Sequence, residues 1–160
     1  MRSVYVDHSA TSFPKAPGVS DAIKDYLDKQ GYNVNRGGYA GAYDVGMAIL
    51  DTRQALADLL HTPSARNVVF TPGVTLSLNM LLWGFCKEGD HVLTTSMEHN
   101  AVMRPLHALS KRGVAYDAVV FPRRADGIPD AAALIPWIKK NTKVVVMTHA
   151  SSVDGTEVRR

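Results

Sequence analysis

At 160 residues the chain has room for one domain of ordinary size and too little for two comfortable ones. Hydrophobic residues at 46% and charged residues at 21% are globular values, which argue against a disordered chain. The net charge of +3 is scattered in pairs such as Lys111-Arg112 and Lys139-Lys140, and no apolar run approaches the ~18 residues of a membrane span, so neither nucleic acid nor membrane is an expected partner.

The elements follow in chain order. Val19, Ile23, Tyr26 and Leu27 mark a first amphipathic helix. Residues 31–42, rich in glycine and asparagine, read as a loop. Val45, Ile49, Thr52, Leu56 and Leu59 mark a longer helix. A β-rich run at 67–71 opens an alternation: Leu76, Met80 and Trp83 on a helix, a strand at 91–95, Val102, Leu106 and Leu109 on a helix, and a strand at 115–121. Asp130 is a plausible N-cap for the next segment, which ends at Asn141, and Pro136 inside it predicts a kink or a late helix start. A final strand is expected at 143–148, where the aliphatic run 144–147 suits burial on both faces. The strands start at 67, 91, 115 and 143, so each gap leaves room for the crossover that parallel pairing requires. The fold class is α/β, with a mostly parallel sheet and helices on both faces.

In such sheets ligands bind beyond the carboxyl ends of the strands. The first end carries Thr71-Pro72-Gly73-Val74-Thr75, a strand-to-helix turn with free N–H groups and a helix dipole that attract phosphate. An ordinary turn with Thr75 as a cap explains the same residues. The second end carries Glu98-His99-Asn100. His99 is either a reactive or stacking ring or a capping histidine. His149 after the fourth strand and His8 beside Asp7 are equally open, whereas His61, His91 and His107 read as structural or surface residues. No spacing matches a metal-ligand motif, a P-loop, a dinucleotide fingerprint or a hydrolase elbow, so no metal is expected. The single cysteine, Cys86, excludes an internal disulfide, fits a reducing cytoplasmic compartment and reads as packing rather than as a nucleophile.

Five segments in order resemble the class V aminotransferase-fold enzymes, specifically the cysteine desulfurase family. They are residues 4–15 (VYVDHSATSFPK), 35–39 (NRGGY), 70–75 (FTPGVT), 95–102 (TSMEHNAV) and 148–156 (THASSVDGT). The resemblance implies a partial fold-type I large domain at 16–160, preceded by a substrate-side arm at 1–15 that lies outside the compact domain. It implies pyridoxal 5'-phosphate (PLP) as cofactor and a homodimer. Gly73, Val74 and Thr75 match the family's phosphate turn, and His99 matches the histidine stacked on the pyridine ring. Ser152 stands where asparagine is usual, on the phenolic-oxygen side of the cofactor. His8 likewise replaces an asparagine in the substrate-side segment with Ser9 and Ala10. Arg36 and Tyr39 belong to the substrate-side loop.

The implied reaction converts L-cysteine to L-alanine, with sulfur passing to a thiol of the enzyme or of an acceptor protein. The family's Schiff-base lysine and ring-nitrogen aspartate fall after the motif ending at Thr156. The chain is therefore expected to be an N-terminal portion, inactive alone and binding PLP weakly or not at all. Alternatives are a class V aminotransferase, another PLP lyase, or an inactive homologue serving as an interaction module. A phosphate- or nucleotide-binding domain built on the Gly73 turn is a third class.

Overall fold

The computed structural model describes residues 4–34, 37–123, 125, 127–153 and 155–158. They form two compact units that divide between Phe70 and Thr71. The first unit holds α1 (Val19–Asp25), which continues as a π-helical turn over Tyr26–Gln30, and α2 (Ala40–Leu59). Gly18 starts α1 at φ 84°, a left-handed conformation that suits glycine. Apolar spacing placed both helices, yet α1 buries none of the stripe that marked it and α2 fully buries only Val45 of its own. α1 has no buried residue, and α2 buries only Ala42, Val45 and Ala57. Val4 and Phe13 are exposed, while Tyr5 is half-buried between the edges of His8 and Phe13.

The second unit contains α3 (Val74–Phe85), β1 (His91–Thr95), α4 (Asn100–Ser110), β2 (Ala115–Val119) and β3 (Thr142–Val145). The strand order is β2-β1-β3, and both pairings are parallel. The register runs from His91 opposite Ala115 to Thr95 opposite Val119, and a bulge between His91 and Val92 offsets the pairing with β3. β1 is central, so all five of its residues are buried.

Consecutive strand residues point to opposite faces, and the two apolar side chains of β1 seed one core each. Val92 packs with Leu82 and Cys86 from the α3 end and with Val102, Leu106 and Leu109 of α4. Leu93 packs with Val119, Phe121, Leu134 and Val158. Among the described residues, no helix is long and apolar enough to cross a membrane.

Three expectations are corrected. Residues 68–71 form no strand; Val68 is extended (φ −100°, ψ 118°), but no ladder partner engages the segment, and Val69 is 68% exposed. β-propensity sets the backbone, whereas a strand also requires a neighbour. The segment after Asp130 is a 3-10 helix over Ala131–Trp137, not a helix reaching Asn141. Asp130 does cap it, accepting from the Ala132 N–H at 3.0 Å, and Pro136 prevents continuation by removing a donor. β3 lies at the sheet edge, so Val144 and Val146 reach the core while Val145 and Met147 are exposed.

Candidate functional site

The site residues expected from the sequence fall, in the second unit, at the start of α3 and in the connections that follow β1 and β3. α3 begins at Gly73, whose carbonyl accepts from the N–H groups of Leu76 (3.1 Å) and Ser77 (3.2 Å). Its N-cap is a glycine, so no N-cap side chain closes the first turn. Thr71, the residue that could fold back over it, instead donates to the Gly73 carbonyl at 3.1 Å and meets the Ser77 hydroxyl at 2.6 Å. A Cβ built on Gly73 would meet nothing within 4 Å, so the turn faces open space. Uncapped first-turn amides beside a threonine hydroxyl are a donor set for an anion.

His99 is the N-cap of α4. Its Nδ1 accepts from the Ala101 N–H at 3.0 Å. With Nδ1 used as an acceptor, the neutral ring carries its proton on Nε2. The capping explanation is therefore correct as geometry, and it leaves the ring faces free. A cavity of about 380 Å³ runs along the groove between α3 and α4, lined by Thr75, Asn79, Trp83, His99, Asn100 and Arg104 among others. Two residues singled out in the sequence thus share one cavity. Asn79, Trp83 and Arg104 were missed. Asn79 and Trp83 lie four and eight residues beyond Thr75, near one helix face, which is the signal that could have found them.

Glu98 was missed as well. Its Oε1 accepts from the Thr95 hydroxyl and from the Thr148 N–H, both at 2.7 Å, and its Oε2 accepts from the Thr148 hydroxyl at 2.9 Å. Two of these three bonds are non-local, so only the polar run at the strand end could have hinted at the network.

Ser152 is exposed in the turn after β3 and does not line the cavity. That turn closes through Ser151 N–H to Thr156 O (2.8 Å) and Val158 N–H to His149 O (2.7 Å). His149 is exposed, with Nε2 3.9 Å from a Glu157 carboxylate oxygen. His8, Ser9 and Ala10 form an exposed turn in the first unit, where Tyr39 precedes α2 with its ring edge-on to Tyr32. Arg36 lies outside the described residues. Cys86 is buried in the first core; burial raises its thiol pKa, the Asp90 carboxylate adds to the rise and Lys143 opposes it. Such a thiol stays protonated and unreactive. Among the described residues, no group of three or more histidine, cysteine, aspartate or glutamate side chains could hold a metal ion.

This unit thus sets a helix start without a side-chain cap beside a histidine-capped one, on a frame of parallel strands. Sequence comparison places that frame in a family: residues 4–159 match the Aminotransferase class-V family, and the chain belongs to it.

Similar proteins include a probable cysteine desulfurase of Vibrio cholerae, 28% identical over 96% of this chain and 38% of its own length. Another is cysteine desulfurase IscS of Dictyoglomus turgidum, 30% identical over 97% of this chain and 39% of its own length. The chain thus spans under two-fifths of the curated relatives it matches. Among solved structures, an apo cysteine desulfurase from Thermococcus onnurineus superimposes with a TM-score of 0.77 at 27% identity, over 92% of this chain and 37% of that one. SspA in complex with cysteine gives 0.79 at 27% identity, over 92% and 42%. A C-DES mutant with glycine covalently linked to its PLP cofactor gives 0.64 at 25% identity, over 86% and 36%.

Proposed function

We propose that this chain is part of a PLP-dependent cysteine desulfurase that converts L-cysteine to L-alanine and delivers the sulfur to a thiol. The supporting observation is the cavity shared by Thr75 and His99 at the starts of α3 and α4. The donor set fits the cofactor. The Val74 and Thr75 amides, with the Thr75 hydroxyl, would hold the phosphate on the turn that Gly73 leaves open. The exposed His99 ring would lie against the pyridine. When bound, PLP supplies an electron sink for bonds at the amino acid's alpha carbon.

His99 would act at that ring in its neutral form, because the Ala101 N–H occupies Nδ1. Its Nε2 proton is then the one available for donation. Ser152 is assigned to the phenolic-oxygen side, reaching it through water. His8, Ser9, Ala10, Arg36 and Tyr39 are assigned to the substrate side, with residues 1–15 as an arm and 16–160 as part of the large domain. The complete assembly is proposed to be a cytoplasmic homodimer with a sulfur-acceptor partner. Exposed apolar side chains such as Leu50 and Leu59 on α2 and Met80 and Phe85 on α3 support association.

The side chains lining the cavity include no lysine, so the chain by itself is expected to hold PLP noncovalently and weakly. The test is a spectral titration of the chain with PLP, using Thr75→Ala and His99→Ala, with inorganic phosphate as competitor. Saturable binding that phosphate displaces and both variants weaken supports the assignment. A covalent adduct that survives gel filtration and supports alanine formation from cysteine would overturn the site, because a lysine of this chain would then carry the chemistry.

A further inference from the structure

We propose that Glu98 is the positioning residue of this rim, the side chain whose hydrogen bonds fix the turn that presents His99 to the cavity. The bearing on catalysis rests on the reading of His99 given above; the geometry does not. Only Ser96, Met97 and Glu98 separate the end of β1 from His99. Connections at the surface are more mobile than the elements they join, and hydrogen bonds to those elements restrain them.

Glu98 supplies such bonds. Three donors converge on its two oxygens: the Thr95 hydroxyl, the Thr148 N–H and the Thr148 hydroxyl. The Thr95 oxygen also accepts from the Met97 N–H at 3.3 Å. The turn is therefore stitched to itself before it is tied to the neighbouring chain. Thr95 closes β1 and Thr148 follows β3, so one carboxylate ties the carboxyl ends of two parallel strands. The Ser96 N–H adds a bond to the Val119 carbonyl of β2 at 2.8 Å. No lysine, arginine or histidine among the described residues forms an ion pair with Glu98. The carboxylate is committed to holding the rim rather than to balancing a charge.

The backbone of His99 follows directly from that of Glu98. Its ring is then set by one further bond, from the Ala101 N–H to Nδ1. Releasing Glu98 should free the turn, loosen that bond and let the proton of the ring distribute between Nδ1 and Nε2. A brace that merely stabilised the sheet would lower the melting temperature and leave the tautomer of His99 alone.

The experiment reads the ring nitrogens of His99 by ¹⁵N NMR in the 160-residue chain without cofactor, assigned with His99→Gln. In the unaltered chain the Nδ1 and Nε2 signals are well separated, as a single Nε2–H tautomer requires. Glu98→Leu, similar in shape but without acceptors, is expected to draw the two signals toward the average of both tautomers. Glu98→Gln keeps an Oε1 acceptor for two of the three donors and is expected to restore most of the separation. Thr148→Val, which removes one donor and leaves the carboxylate, is expected to give an intermediate shift and decides the matter if the leucine variant does not fold. Unchanged His99 signals in the variants that fold would overturn the proposal. So would a glutamine variant as perturbed as the leucine one, since charge rather than hydrogen-bond geometry would then be responsible. PLP titration of the same variants keeps the two readings apart: shifted His99 signals with no PLP binding in any chain would sink the functional reading and leave the role of Glu98 standing.

Discussion

The two ends of the three-stranded sheet are held by the same device with different outcomes. At the amino end His91 of β1 is fully buried. Its Nδ1 meets the Thr142 hydroxyl of β3 at 2.8 Å, and its Nε2 lies 3.3 Å from Asp117 of β2. That second approach is an electrostatic contact without hydrogen-bond alignment, and Nε2 has no hydrogen-bond partner. Asp117 turns to Lys139, at 2.7 Å. The Asn141 amide donates to the Gly89 carbonyl at 2.9 Å, which closes the same end. At the carboxyl end Glu98 also ties strands together, but the groups beside it remain open: an uncapped helix N-terminus, a threonine hydroxyl and an exposed imidazole. One end of the sheet directs most of its polar groups at its own strands, and the other leaves more of them exposed. Ligand sites of open α/β sheets lie at that second end.

The largest effect that could break the comparison is at His91. Replacing it by alanine empties buried space and removes one of the two partners of the Thr142 hydroxyl. The expected loss is about 2–4 kcal/mol, read as a lower denaturant midpoint with an unchanged slope. PLP binding by the fraction that remains folded should be unaltered. Unchanged stability, or a selective loss of binding, would mean that the two ends do not divide their work as described.

His99→Ala comes next and should behave in the opposite way. Losing the cap costs about 1 kcal/mol of stability. Losing the ring should weaken PLP by about tenfold, equivalent to about 1.4 kcal/mol, measured in the same titration. A variant with lower stability and intact PLP affinity would make His99 a cap only, and the carboxyl end would then resemble the amino end.

How much of this was legible depended on whether the cause was local. α2, α3 and α4 were read from side chains three and four apart, and β1, β2 and β3 from β-branched runs at crossover spacing. Burial was not legible, because Leu59 on α2 and Val145 on β3 carry the right chemistry and still end up exposed. The run at 68–71 failed for the same reason, since extended backbone is a local property and a ladder is not. Thr75 and His99 were both expected at strand ends; only His99 follows a strand, and Thr75 shares its cavity because α3 packs on α4. Glu98 could not be singled out, since its partner Thr148 is fifty residues away in sequence. His91 read as structural, but nothing in a single strand shows that one imidazole faces both neighbouring strands.

The smallest effect sharpens the amino end alone. The pKa of Asp117 is held below the ordinary carboxylate range, chiefly by its hydrogen bond from Lys139, against the opposing effect of burial and with help from the Lys139 charge and the neighbouring His91. A carboxylate with a lowered folded-state pKa adds stability above its unfolded value of about 3.9 and loses it as pH falls through the folded value. Lys139→Met removes the leading cause while leaving the Lys139 backbone N–H free to keep its 2.7 Å bond to the Thr142 hydroxyl. The acid unfolding midpoint, followed by circular dichroism, should therefore move to higher pH. Both partners are partly exposed, so the loss at neutral pH should stay below about 1 kcal/mol and shrink further in high salt. Superimposable acid transitions would show that the Asp117–Lys139 pair adds nothing to this end. The amino end would then rest on His91, Thr142 and the Asn141 bond to Gly89.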